Sequence, residues 1–113
     1  MTVRSAVVRR QVEDLDAAVP FYEQVTGASS SRFAFAGVHL ASVGPFLLFS
    51  GPEEAVRIVA GVAATLVVTD VDATVALATA AGAEIVAPAA KTPNGHRAVL
   101  RHPDGGVFEY VGP

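Results

Sequence analysis

The sequence predicts an α+β domain made of two βαβββ modules. Three observations carry this reading. A short segment recurs about halfway along the chain. Each copy lies between a β-branched run and an amphipathic or alanine-rich run that stops at a glycine. Three further strand-like runs, separated by turn residues, follow each of those stops.

The repeat sets the architecture, because self-similarity at a fixed offset means one supersecondary unit used twice. Val12-Glu13-Asp14-Leu15-Asp16-Ala17 matches Val68-Thr69-Asp70-Val71-Asp72-Ala73 at an offset of 56 residues. In the first copy, Ser5 to Gln11 reads as a strand. Asp14 is a good helix N-cap, since its carboxylate can accept from the free amides of the first turn. Asp16 places negative charge near the positive end of the helix dipole. The helix runs through Phe21, Tyr22 and Val25 to a left-handed stop at Gly27. Pro20 is costly in a helix interior, so the regular helix is expected to begin near it, after a looser first turn. The second copy reads as strand 63–68, cap Asp70, helix 72–81 and stop Gly82. The remaining strands are expected at 31–36, 38–43 and 46–50, and at 84–87, 97–101 and 107–111. Gly37 and Gly44-Pro45 mark turns in the first half. His102-Pro103-Asp104-Gly105-Gly106 makes the last hairpin turn. Module 1 thus spans about 1–50, a linker 51–61 and module 2 about 62–113. Lys91 to Gly95 reads as a polar, mobile loop.

With 113 residues, half of them apolar, the chain suits one domain with a real core. A net charge of −3 and the lack of a basic run argue against nucleic acid. There is no cysteine, which excludes disulfides, thiolate nucleophiles and thiolate metal sites and fits a reducing, cytoplasmic address. Charges within the first ten residues do not suit a signal peptide. The apolar runs are shorter than the ~20 residues of a membrane span.

The doubled βαβββ plan resembles the vicinal oxygen chelate superfamily, also called the glyoxalase/bleomycin-resistance/dioxygenase group. Asp14-Leu15-Asp16-Ala17-Ala18-Val19-Pro20-Phe21-Tyr22-Glu23, ending at Gly27, looks like that family's first helix. Arg101-His102-Pro103-Asp104-Gly105-Gly106-Val107-Phe108-Glu109-Tyr110 looks like its last hairpin. The resemblance implies a curved mixed sheet around a small-molecule cup. It also implies, in members that do chemistry, a divalent metal on four side chains. Carried over residue by residue, those positions hold Val7, Leu47 or Leu48, Ala63 and Glu109. Only Glu109 can coordinate a cation, and one carboxylate does not replace four ligands. The expectation is therefore no metal and no cofactor.

Alternation along strands then assigns faces. With Val7 at the inward ligand position, Arg9 and Gln11 also face inward, as do Ala63, Thr65 and Val67, and Val107, Glu109 and Val111. Phe108 and Tyr110 turn toward the helices. Arg97 and Arg101 share a face that alternation alone does not fix. An inward Glu109 needs a cation or donor to offset its desolvation, and Arg9 is one expected partner. His39 and Phe46 complete the expected ligand-binding set with Arg9, Gln11, Thr65 and Glu109. His96 and His102 are expected at the surface. Such a cup is mostly apolar with a few polar groups, the usual make-up of a small-molecule pocket. The expected function is metal-free binding or sequestration of an apolar or aromatic metabolite, as the resemblance to the bleomycin-resistance branch implies. The alternative is an enzyme of the lyase, isomerase or dioxygenase type, with Glu109 as catalytic acid or base and with or without a divalent metal. The expected partners are the small-molecule ligand and a second copy of the chain, with neither nucleic acid nor membrane.

Overall fold

The computed structural model describes residues 2–113. Two βαβββ modules follow one another. The first is β1 (Val3–Gln11), α1 (Leu15–Thr26), β2 (Ser30–Phe35), β3 (Val38–Val43) and β4 (Phe46–Ser50). A further helix, α2 (Glu53–Ala60), comes next. The second module is β5 (Ala64–Val68), α3 (Val71–Ala80), β6 (Glu84–Thr92), β7 (Gly95–Arg101) and β8 (Val107–Gly112). By contacts the chain divides into two compact units, Val8–Gly61, and the residues up to Val7 together with Val62–Pro113.

In the unit Val8–Gly61 the strands lie in the order β2-β3-β4-β1. The β2–β3 and β3–β4 pairs are antiparallel, and β1 runs parallel to β4 with Arg9 opposite Leu47 and Gln11 opposite Phe49. Both faces are covered. Leu15 and Val19 of α1 pack on Ala41, Val43 and Leu48. Val56 of α2 packs on Val38, Leu40 and Phe49. Burying a side chain such as Leu48 contributes about 1.5–3 kcal/mol, which is why these apolar alternations decide the register.

Two local expectations change here. Helix α1 starts directly at Leu15, with Pro20 inside it. Asp14 caps it by accepting from the Asp16 amide at 2.9 Å, and Leu15 and Val19 are both buried. Packing of the first turn outweighs the hydrogen bond that Pro20 forfeits. The segment 51–61, expected to be a linker, carries α2. Pro52 precedes it, Glu53 and Glu54 occupy its first turn, and Ala55, Val56 and Val59 form its apolar stripe.

In the other unit the order is β5-β8-β7-β6, with β5 parallel to β8 and the remaining pairs antiparallel. Asp70 caps α3 by accepting from the Ala73 amide at 3.0 Å. Val71 of α3 packs with Val68, Ala98, Leu100 and Tyr110, and Val3, Val75 and Phe108 join them at the rim. The expected polar loop at 91–95 is a tight hairpin instead. Thr92 pairs with Gly95, and Pro93-Asn94 form the turn, a pairing of residue types that suits a short reversal. The register of β6 against β7 shifts between Ile85 and Ala90, where Pro88 sits; proline has no amide for the ladder and is confined to such irregularities and to edges.

Candidate functional site

The clearest cluster of chemistry lies on the face of the second unit turned away from α3. The last hairpin fixes it. The His102 amide donates to the Gly106 carbonyl at 2.7 Å, so Arg101 pairs with Val107, Val99 with Glu109 and Arg97 with Val111. Opposite residues share a face, and β5 places Thr65 beside Glu109 on the other side. The odd-numbered positions therefore gather Thr65, Arg97, Val99, Arg101, Val107, Glu109 and Val111 on one surface. Their even-numbered neighbours Ala98, Leu100, Phe108 and Tyr110 pack toward α3.

Glu109 is held at both oxygens. The Thr65 hydroxyl donates to Oε1 at 2.7 Å, and the Arg97 Nε donates to Oε2 in a charge-assisted bond. The Glu109 side chain is 14 % exposed and that of Arg97 38 %. Thr65 is buried. This arrangement offsets the desolvation that a carboxylate suffers in such a place.

The other expected site residues fall in the unit Val8–Gly61. Arg9 donates from Nη2 to the Val59 carbonyl at 3.1 Å, and its guanidinium lies 5.8 Å from the centre of the Phe49 ring. Gln11 is exposed on the same strand. Phe46 points the other way, into the α1 core, with its ring 4.8 Å from that of Tyr22. Its neighbour Leu47 is the residue opposite Arg9. His39 lines an open cleft of about 290 Å³ at the start of α1, with Glu13, Asp16, Arg32, Phe33 and Leu40. An Arg32–Asp16 ion pair at 2.5 Å crosses part of that cleft. His102, expected at the surface, is half-buried. It stacks on Phe108 at 4.2 Å, and its Nε2 lies 2.5 Å from the Tyr110 hydroxyl. Burial pushes the Tyr110 phenol above its ordinary pKa.

These residues do not fit the four-ligand metal set that the resemblance implies. Val7, Leu47 and Ala63 offer no donor atom, and both oxygens of Glu109 already accept from protein side chains. Among the described residues, no group of three or more His, Asp or Glu side chains could hold a metal ion.

A family model described as the glyoxalase/bleomycin resistance protein/dioxygenase superfamily matches residues 4–110. The chain belongs to that superfamily. Among solved structures, an uncharacterised protein from Methanosarcina mazei is 35 % identical, with a TM-score of 0.90 over 99 % of this chain and 94 % of that one. Methylmalonyl-CoA epimerase from Mycobacterium tuberculosis is 20 % identical, with a TM-score of 0.71 over 99 % and 89 %. The Streptomyces coelicolor methylmalonyl-CoA epimerase S115T variant, in complex with 2-nitronate-propionyl-CoA, is also 20 % identical, with a TM-score of 0.73 over 99 % and 95 %. At these identities the epimerases share the superfamily fold with this chain. No curated protein matches it. No helix among the described residues is long and apolar enough to cross a membrane.

Within this superfamily frame Arg97, together with Arg101, is what sequence reasoning left unplaced. Its face was legible in principle. Once the hairpin closes Arg101 on Val107, every odd residue of β7 shares a face with the odd residues of β8. Alternation within a strand fixes parity but not the partner, and the turn supplies the rest.

Proposed function

We propose that this chain is a small-molecule-binding member of the superfamily that works without the divalent metal, holding an apolar or aromatic metabolite. One observation carries the reading. Glu109, the carboxylate that matches the family's metal-ligand pattern, spends its oxygens on Thr65 and Arg97. The matching positions Val7, Leu47 and Ala63 are apolar. The face that bears Glu109 is otherwise valine-rich, with Val99 buried and Val107 and Val111 half-buried, a suitable floor for an apolar body. Arg9, Gln11 and His39 remain proposed ligand contacts, and a homodimer is the proposed assembly.

The test is elemental analysis combined with native mass spectrometry on protein purified gently from its own cells. The expected result is an organic adduct on the folded chain with no stoichiometric Mn, Fe, Ni or Zn. About one such metal per chain would overturn the proposal, because metal sites of this kind depend on a full ligand set. Conversion of the retained compound into a product by the protein alone would favour an enzyme that uses Glu109 as acid or base.

A further inference from the structure

We infer that Arg97 is a fixed side-chain cation that selects ligands bearing a carboxylate on an apolar or aromatic body. This deepens the binding reading above and rests on it.

The argument starts from how Arg97 is held. Among the described residues, its Nε–H alone is used internally, on Oε2 of Glu109. Neither Nη forms a hydrogen bond or ion pair to any other described residue, and the side chain is part-exposed. Glu109 is itself fixed by the Thr65 hydroxyl at 2.7 Å, and Thr65 is buried on the neighbouring strand. The relay Thr65–Glu109–Arg97 thus orients the guanidinium through its inner edge and leaves the outer Nη edge to present. A guanidinium so oriented offers two parallel N–H donors, the fork that a planar carboxylate accepts. Supporting groups that lock the contact residue are what give such a site its precision.

The surroundings of Arg97 point to the same class. Arg101 lies on the same face of β7, two residues beyond Val99. Its nearest acid within the unit, Glu84, is 3.9 Å away, and both side chains are substantially exposed, so that pair is weak. Glu84 lies opposite Arg101 and so shares this face, which leaves Arg97 and Arg101 balanced by Glu109 and Glu84. The selection therefore rests on the oriented outer edge of Arg97 and calls for one carboxylate on the ligand. Between and beside the arginines lie Val99, Val107 and Val111, on which an apolar body can rest. The cation does for a ligand oxygen what a metal would do elsewhere in the superfamily, but it reads a planar oxyanion and not a chelating pair.

The test compares naphthoate with naphthamide, which share one ring system and differ in the charge of the headgroup. Affinities are measured by ligand-observed NMR titration with the intact chain. The wild type should bind naphthoate at least about tenfold more tightly than naphthamide, the size expected when hydrogen bonds to a charged group are gained. In the Arg97→Lys variant, and in a charge-balanced Arg97→Met/Glu109→Gln double variant, naphthamide binding should persist while the preference shrinks to about twofold or less. Equal affinities in the wild type, or a preference that survives both variants, would overturn the inference and leave the binding proposal standing. Failure of both probes at millimolar concentration would overturn the binding proposal and the inference together.

Discussion

At the scale of single residues, the Glu109 carboxylate shows how one substitution pattern reshapes a site. Its oxygens accept from Thr65 and Arg97, so either partner lost leaves a half-buried group short of a bond. Glu109→Gln or Arg97→Met should each destabilise the fold by about 1–3 kcal/mol. The double variant should cost less than the sum, because no orphaned charge is left behind. Urea unfolding of the four proteins in the cycle checks this, and strict additivity would show that the two groups do not stabilise each other. Tyr110 gives a pH dependence. Its phenol is raised by burial, so above about pH 10 the unfolded chain loses this proton while the folded chain keeps it. The contribution is intact below the unfolded value and is lost as pH climbs toward the folded one. Stability should therefore fall with rising alkalinity, and Tyr110→Phe should flatten that fall in unfolding curves taken from about pH 9 to 11.

At the scale of elements, the hairpins decide what the strands can present. Gly95 begins β7 with φ at +149°, and a Cβ placed there would meet the Gly112 carbonyl oxygen at 2.0 Å. Backbone occupies that space, so no rotamer change can relieve the clash. Gly95→Ala should destabilise the chain by more than the ~1 kcal/mol of an ordinary glycine replacement. It should also shift amide resonances along β7 and β8 in an NMR comparison with the wild type. An unchanged unfolding midpoint would show that the strand ends separate freely. Helix α2 is an element whose sequence signal was present and easily missed. Proline before it, two glutamates in its first turn and apolar residues at 55, 56 and 59 all fit a short amphipathic helix. Gly51-Pro52 and Gly61 at its ends look equally like linker punctuation. Burial of Val56 against Leu40 and Phe49 settles the matter.

At the scale of the whole molecule, the proposed homodimer follows from surfaces each unit leaves open. Strand β2 is an edge in its unit and is exposed over nearly its whole length, with Phe33 49 % and Phe35 60 % exposed. Strand β6 is an edge in the other, with Ile85 and Val86 exposed. Unpaired strand edges with apolar side chains invite another chain. Sedimentation at micromolar concentration should show twice the 11.6 kDa chain mass, and replacing Phe33 and Phe35 with Lys should shift the protein toward monomer. A single species of chain mass at all concentrations would exclude the dimer.

The sequence by itself determined the class of fold, the doubled βαβββ plan and both aspartate caps. These follow from local facts: a repeat, a strand period of two and cap chemistry. The tertiary structure decided what depends on partners distant in the chain. It turned Phe46 into the α1 core and moved Leu47 to the opposite face, because β4 takes its parity from pairing with β1 and β3. It carried α1 across Pro20, because burial of Leu15 and Val19 holds the first turn. It half-buried His102 against Phe108 and Tyr110, where turn composition alone suggests solvent. And it set Arg97 beside Glu109, since only the closed hairpin fixes which residues of β7 stand next to which residues of β8.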